Sequence, residues 1–264
     1  MELKKTIYSV SDGIAVIQMN YMKNLNAIDE QMADELIALL DQAEKDDEVK
    51  VVVLKGAEKA FSAGGDIGFF YERVQAGGEV SLDGLIARIG ILADNMKKMS
   101  KMIITSVAGA AAGAGMSLAL GGDFLICADN AKFILAFVNL GLAPDTGAAY
   151  LLAKSIGTAR TMELSATGRP VGAEEAKAWG LAYQVVAKEE LEEATMKLAK
   201  KLAAGPLVSY ANIKKQIYAA AFSDYRSWLD NVEGPTQHEC ALTEDFKEGV
   251  KAFMEKRKAE FTGK

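Results

Sequence analysis

The sequence predicts an α/β fold, and three observations carry that reading. Two short β-branched runs, Val51-Val52-Val53-Leu54 and Ile103-Ile104-Thr105-Ser106-Val107, each lead into a loop of small residues and then a helical stretch. They are too short for helices and read as buried strands. The same order of strand, loop and helix recurs from Phe124 to Cys127, and after Gly180 the chain turns almost wholly helical.

Taken in order, Thr6 to Val10 and Ile14 to Met19 alternate around Ser11-Asp12-Gly13, which is the turn chemistry of a β-hairpin. Asp29 can cap a helix to about Lys45, where Met32, Leu36, Leu39 and Leu40 share one face. Ala76 to Val80, with Gly77-Gly78, reads as a mobile loop before a helix from Leu82 to Met99. A further helix begins near Met116. Four amphipathic stretches follow Gly180: Glu189 to Ala204, Ser209 to Ala221, Asp224 to Leu242 and Asp245 to Lys258. No Pro- or Ser-rich linker divides the chain, so one compact unit with a helical appendage is expected.

The bulk properties narrow the function classes. A chain of 264 residues can bury about 75% of its unfolded surface and needs no staples. Cys127 and Cys240 lack metal-ligand or C-x-x-C spacing and read as reduced thiols of a cytoplasmic protein. Residues 1–20 carry no signal-peptide pattern. The apolar stretch Ile103 to Leu120 is interrupted by Thr105, Ser106 and Ser117, so it reads poorly as a spanning helix of ~20 apolar residues, and no membrane partner is expected. A net charge of −6 offers no basic field for nucleic acid. Neither a P-loop nor a dinucleotide fingerprint occurs, so ATP and NAD are not implied, and no cofactor or metal is expected.

The loops hold the chemistry. Phe61-Ser62-Ala63-Gly64-Gly65-Asp66 follows the first buried strand, and Ala108-Gly109-Ala110-Ala111-Ala112-Gly113-Ala114-Gly115 follows the second. Small residues leave backbone N–H groups uncovered. Two such loops can aim two amide donors at one carbonyl oxygen, an oxyanion hole in which each donor is worth roughly 3–4 kcal/mol.

At these residues the sequence resembles the crotonase superfamily, the enoyl-CoA hydratase/isomerase group. The likeness extends over Lys23-Asn24-Leu25-Asn26-Ala27-Ile28, Gly56 to Asp66, Gly109 to Ala119, Asn139 to Gly147, Glu174 to Leu181 and Thr243 to Val250, which is nearly the whole chain. It implies a spiral of ββα repeats over residues 1–190. Residues 191–264 would then be a helical region that packs subunits into a homotrimer or hexamer. It implies an acyl-CoA or acyl-carrier-protein thioester as substrate, with Gly65 and Ala114 as the oxyanion donors. Lys23, Leu25, Ala27, Ala63, Gly64, Asp66, Ile67, Phe137, Leu142, Phe253 and Lys256 would contact that ligand. Because the ligand is anionic, Lys23, Lys55, Lys59, Lys256 and Arg257 are candidates for a basic rim.

One departure from the family pattern bears on the reaction. Hydratases of the group hold a water between two glutamates, and those positions here carry Ser117 and Phe137. Neither side chain can activate water and supply a proton near neutral pH. Asp145 remains, in the loop Leu142-Ala143-Pro144-Asp145-Thr146-Gly147, where several isomerases of the group place a single acid. Moving a double bond needs only one group that removes and returns a proton, and an apolar lining would raise its basicity. The expected activity is isomerisation of an enoyl thioester. The alternatives are hydration, or hydrolase or dehalogenase chemistry on the same fold. The order Ser117, Asp145, His238 also allows a degenerate serine-hydrolase reading, and Asp145 could simply be a turn residue or a helix cap.

Overall fold

A computed structural model describes residues 2–57, 59–78 and 80–264. Among the described residues ten strands are distributed over two sheets. They are β1 Thr6–Ser11, β2 Ile14–Met19, β3 Val51–Lys55, β4 Ala60–Ser62, β5 Met102–Val107, β6 Ala110–Ala112, β7 Phe124–Ala128, β8 Lys132–Ile134, β9 Pro170–Gly172 and β10 Gln184–Val186. The larger sheet has the order β1-β2-β3-β5-β7-β10 and the smaller β4-β6-β8-β9. From β3 to β8 the chain alternates, placing one strand in the large sheet and the next in the small one, before β9 pairs antiparallel with β8 and β10 returns to the large sheet. That alternation is the expected ββα spiral of the crotonase fold.

The first hairpin closes on Asp12 and Gly13, at φ 53° and 76°. A two-residue loop with both central residues left-handed matches the strand twist, which is why Asp-Gly stands there. From β2 to β10 the large sheet is parallel. Parallel sheets are buried on both faces, so their strands read as unbroken apolar runs. Alternate residues nonetheless go to opposite sides. Val51, Val53 and Ile104 pack with Leu191, Leu198 and Leu202 of helix Leu191–Ala203, whereas Val52, Leu54 and Ile103 share the main core with Met32, Leu36 and Leu92. Each such side chain contributes roughly 1.5–3 kcal/mol on full burial.

Asp29 caps helix Glu30–Lys45 by accepting the Met32 N–H at 2.9 Å. The glycine-rich loop begins at Gly77, directly after helix Ile67–Ala76, and Glu79 within it lies outside the described residues. The last helix runs Glu244–Glu255, and Lys256 ends it with φ 55°.

The expected continuous helix from Asp224 to Leu242 is in fact three pieces: Tyr225–Trp228, a π-helical turn Leu229–Glu233, and Gly234–Ala241. Pro235 has no N–H to give, and its ring would clash with the preceding helical turn. The chain widens instead, and the Gly234 N–H donates to the Leu229 carbonyl five residues back. A regular apolar periodicity does not register that extra residue, which re-aims the side chains on either side of the turn.

Candidate active site

β4 and β6 are parallel neighbours, with Ser62 opposite Ala111. Their following loops therefore emerge side by side. The approach is so close that a Cβ on Gly64 would stand 2.6 Å from the Ala112 carbonyl oxygen, and one on Gly115 would stand 2.7 Å from that of Ser62. Only glycine fits at both places.

Residues 25–28 clamp the first loop. Ala63 N–H donates to Leu25 O, Ile28 N–H to Gly64 O, and Asp66 N–H to Ile28 O, while Gly64 N–H donates to the Ser62 hydroxyl. Among the described residues this leaves the Gly65 N–H without a partner. Ala114 opens helix Ala114–Gly121, where the first N–H groups have no carbonyl one turn back to bond. Its φ is not left-handed, so its Cβ costs nothing there. Gly65 and Ala114 line one cavity of about 510 Å³.

The same cavity is lined by Lys23, Leu25, Ala27, Ala63, Asp66, Ile67, Phe137, Leu142, Asp145 and Phe253. Gly64 stands just behind the wall, bonded to Ile28 and Ser62. Lys256 is exposed beyond Phe253 at the end of the last helix. Of the basic candidates, Lys23, Lys59 and Lys256 are exposed, whereas Lys55 is paired with Glu192 and Arg257 with Glu248 and Glu255. Those three ion pairs remove Lys55 and Arg257 from a free basic rim.

Among the described residues two carboxyls reach the cavity. Asp66 is committed to structure: it caps helix Ile67–Ala76 through the Gly68 and Phe69 N–H groups and accepts from the Asn24 amide at 2.8 Å. Asp145 is only 7% exposed and takes no helix N–H through its side chain. Its Oδ1 accepts from the Thr146 hydroxyl at 2.8 Å and its Oδ2 from Gln237 Nε2 at 3.0 Å. Burial pushes its pKa up to about 7, against the lowering pull of those two donors. An aspartate so placed can both take and return a proton at neutral pH.

Neither the helix-cap reading of Asp145 nor the serine-hydrolase reading matches this geometry. The buried Ser117 hydroxyl donates to the backbone carbonyls of Gly113 and Asp145, and His238 bonds Asp83 on an exposed helix edge.

Two neighbours of Asp145 were not foreseen, Glu233 and Gln237, 4% and 1% exposed. Both Glu233 oxygens accept from the Gly147 N–H, at 3.1 and 2.9 Å. Burial and the charge of Asp145 raise its pKa to about 9. The available signal was the i, i+4 stripe Leu229, Glu233, Gln237, Ala241, in which two polar residues interrupt an inward face.

Comparison with known proteins shows the family. Residues 9–264 match the family described as enoyl-CoA hydratase/isomerase. The chain is 36% identical to a trans-2-decenoyl-[acyl-carrier-protein] isomerase of Streptococcus mutans, over 100% of both chains. It is 37% identical to a 1,2-epoxyphenylacetyl-CoA isomerase of Escherichia coli, over 97% of each. A crystal structure of an enoyl-CoA hydratase from Mycobacterium avium subsp. paratuberculosis K-10 superposes with a TM-score of 0.90 at 31% identity, covering 99% of this chain and 100% of that one. The chain belongs to the enoyl-CoA hydratase/isomerase family.

Proposed function

We propose that this enzyme shifts the double bond of an enoyl thioester between C2–C3 and C3–C4. A single observation carries the reading: among the described residues Asp145 is the one carboxyl lining the cavity that is not committed to capping a helix or to an ion pair, while Ser117 and Phe137 stand at the positions of the two glutamates that hydration would need.

In the 2-to-3 direction, the Asp145 carboxylate takes a proton from C4. The C4–H electron pair becomes the new C3–C4 double bond, and the former C2–C3 pair moves toward the thioester, placing negative charge on its oxygen. The N–H groups of Gly65 and Ala114 hold that charge. The dienolate then collapses, its electron pair captures the Asp145 proton at C2, and the carboxylate is restored. No water enters the balance.

Apolar walls from Phe70, Ile89, Phe137 and Phe253 suit a fatty acyl chain. Lys23 on the cavity wall and Lys256 just beyond Phe253 suit an anionic carrier, either CoA or an acyl carrier protein. The helix Leu207–Ala221 exposes Leu207, Val208, Ile213 and Ile217, which supports a homotrimeric or hexameric assembly through the helical C-terminal region.

The test is product analysis. Purified protein incubated with trans-2- and cis-3-decenoyl thioesters of CoA and of acyl carrier protein should interconvert the two, with deuterium from solvent entering C2 or C4. Accumulation of a 3-hydroxyacyl product, or of free acid, would instead assign hydratase or hydrolase chemistry.

A further inference from the structure

Behind Asp145 the chain buries a second carboxyl at some cost, since an apolar residue of similar volume would be the cheaper occupant. Glu233 ends the π-helical turn and points at a loop of unusual backbone: Thr146 and Gly147 are both left-handed, at φ 56° and 80°. The carboxyl accepts from the Gly147 N–H with both oxygens, and the Thr146 N–H also favours its anion. Glu233 therefore pins the two residues that follow Asp145.

Gln237, one turn further on, bonds Asp145 directly. Its Nε2 donates to Oδ2, and its Oε1 is buried without a partner among the described residues. An amide differs from a lysine or arginine in that place, because it can bond a carboxylate through its NH2 or a carboxylic acid through its oxygen. A base that gains and loses a proton each turnover needs such a partner. Rotation about one bond exchanges the two arrangements.

We infer that Glu233 and Gln237 are positioning residues for Asp145: Glu233 pins its loop and shares a single negative charge with it, and the Gln237 amide turns over as Asp145 gains and loses its proton. This rests on Asp145 being the proton-transferring group. The surroundings leave the charge to the pair. Glu233 faces Asp145 across the loop and the buried Tyr225, whose hydroxyl has no partner among the described residues. On its other side is a cavity of about 500 Å³ that it lines with Asp83, Arg226, Asp230 and His238. Arg226 is bonded to Asp230 and His238 to Asp83, so neither neutralises Glu233. Burial holds Asp145 near 7 and, with repulsion from Asp145, Glu233 near 9, so one negative charge resides on the pair between those values.

The experiment is a carboxyl-carbon NMR titration of the whole protein, labelled at Asp and Glu, alongside kcat and KM against pH on a decenoyl thioester. The parent should show two linked steps, with kcat rising through the first and falling through the second. In Glu233→Gln one step remains and the alkaline fall disappears, with kcat lowered about ten-fold and KM within about two-fold, as loss of a positioning group requires. Asp145→Asn should likewise leave one step, which keeps the test open if Glu233→Gln folds poorly. Gln237→Leu, which removes a donor to the anion, should move the first step alkaline by about one pH unit. Two unchanged steps in Glu233→Gln, or an unmoved first step in Gln237→Leu, would overturn the inference. A collapse to one step in a protein that turns over no enoyl thioester upholds the pairing and removes the isomerase reading instead.

Discussion

Replacing Asp145 by asparagine should separate activity from stability in opposite directions. The change is nearly isosteric, and its hydrogen bonds can be met: the Thr146 hydroxyl rotates, and the unpartnered Gln237 Oε1 can receive the new amide. Loss of the proposed proton carrier should cost on the order of 10²–10⁴ in kcat. In the parent, a carboxyl titrating at about 7 is about one-tenth ionised at pH 6 and about nine-tenths at pH 8, so turnover should climb about ten-fold between them. An ordinary aspartate would give a flat profile there. Stability runs the other way. Because the folded pKa lies above the unfolded one, the folded state binds the extra proton. The stability this confers is complete below about pH 4 and lost as pH rises through 7. The distance from 3.8 to about 7 is worth roughly 4 kcal/mol. Asparagine never ionises. It should therefore unfold in urea with an advantage of roughly 1.5 kcal/mol at pH 5, growing to roughly 4 kcal/mol at pH 8. Isomerisation followed by chromatography and urea melts at the two pH values suffice as assays. Parent-level turnover in Asp145→Asn, or a parent rate flat from pH 6 to 8, would refute the single-base argument.

Three further outcomes follow from the same geometry. Gly147→Ala places a Cβ 1.7 Å from the Tyr225 hydroxyl at φ 80°, so it should lower stability by more than about 3 kcal/mol; an unchanged thermal midpoint would contradict the packing described. Ser117→Ala removes a hydroxyl bonded to the Asp145 carbonyl at 2.9 Å, and should cost about 1 kcal/mol with turnover reduced only a few-fold, whereas a serine nucleophile would lose all activity. Lys23→Glu and Lys256→Glu should raise KM for carrier-bound and CoA substrates while sparing kcat, and the effect should shrink as salt is added. A KM that ignores both changes would remove these lysines from the mouth of the site.

The elements most legible in the sequence were those whose physics is local. The Asp12-Gly13 turn, the Asp29 cap and the unbroken apolar strands at 51–54 and 103–107 follow from dihedral preference, one side-chain hydrogen bond and burial on both faces. Gly64 and Gly115 were visible as small residues, but what they avoid is a carbonyl on the other loop, which no local pattern specifies. Lys55 and Arg257 looked like free cations because the sequence does not display partners 137 and 9 residues away.

Sequence alone determined the α/β class, the two small-residue loops, and the absence of glutamate at positions 117 and 137, since each depends on residue type and order. It also singled out Asp145. Only the tertiary structure decided what that aspartate can do, because a pKa near 7 is set by water excluded from all sides and by groups brought close through folding. Glu233 and Gln237 come from a helix interrupted by Pro235, and the extra residue of the π turn changes the direction in which they point. Direction in space is a sum over the whole intervening chain, so the second carboxyl behind the site emerged only once the chain was folded.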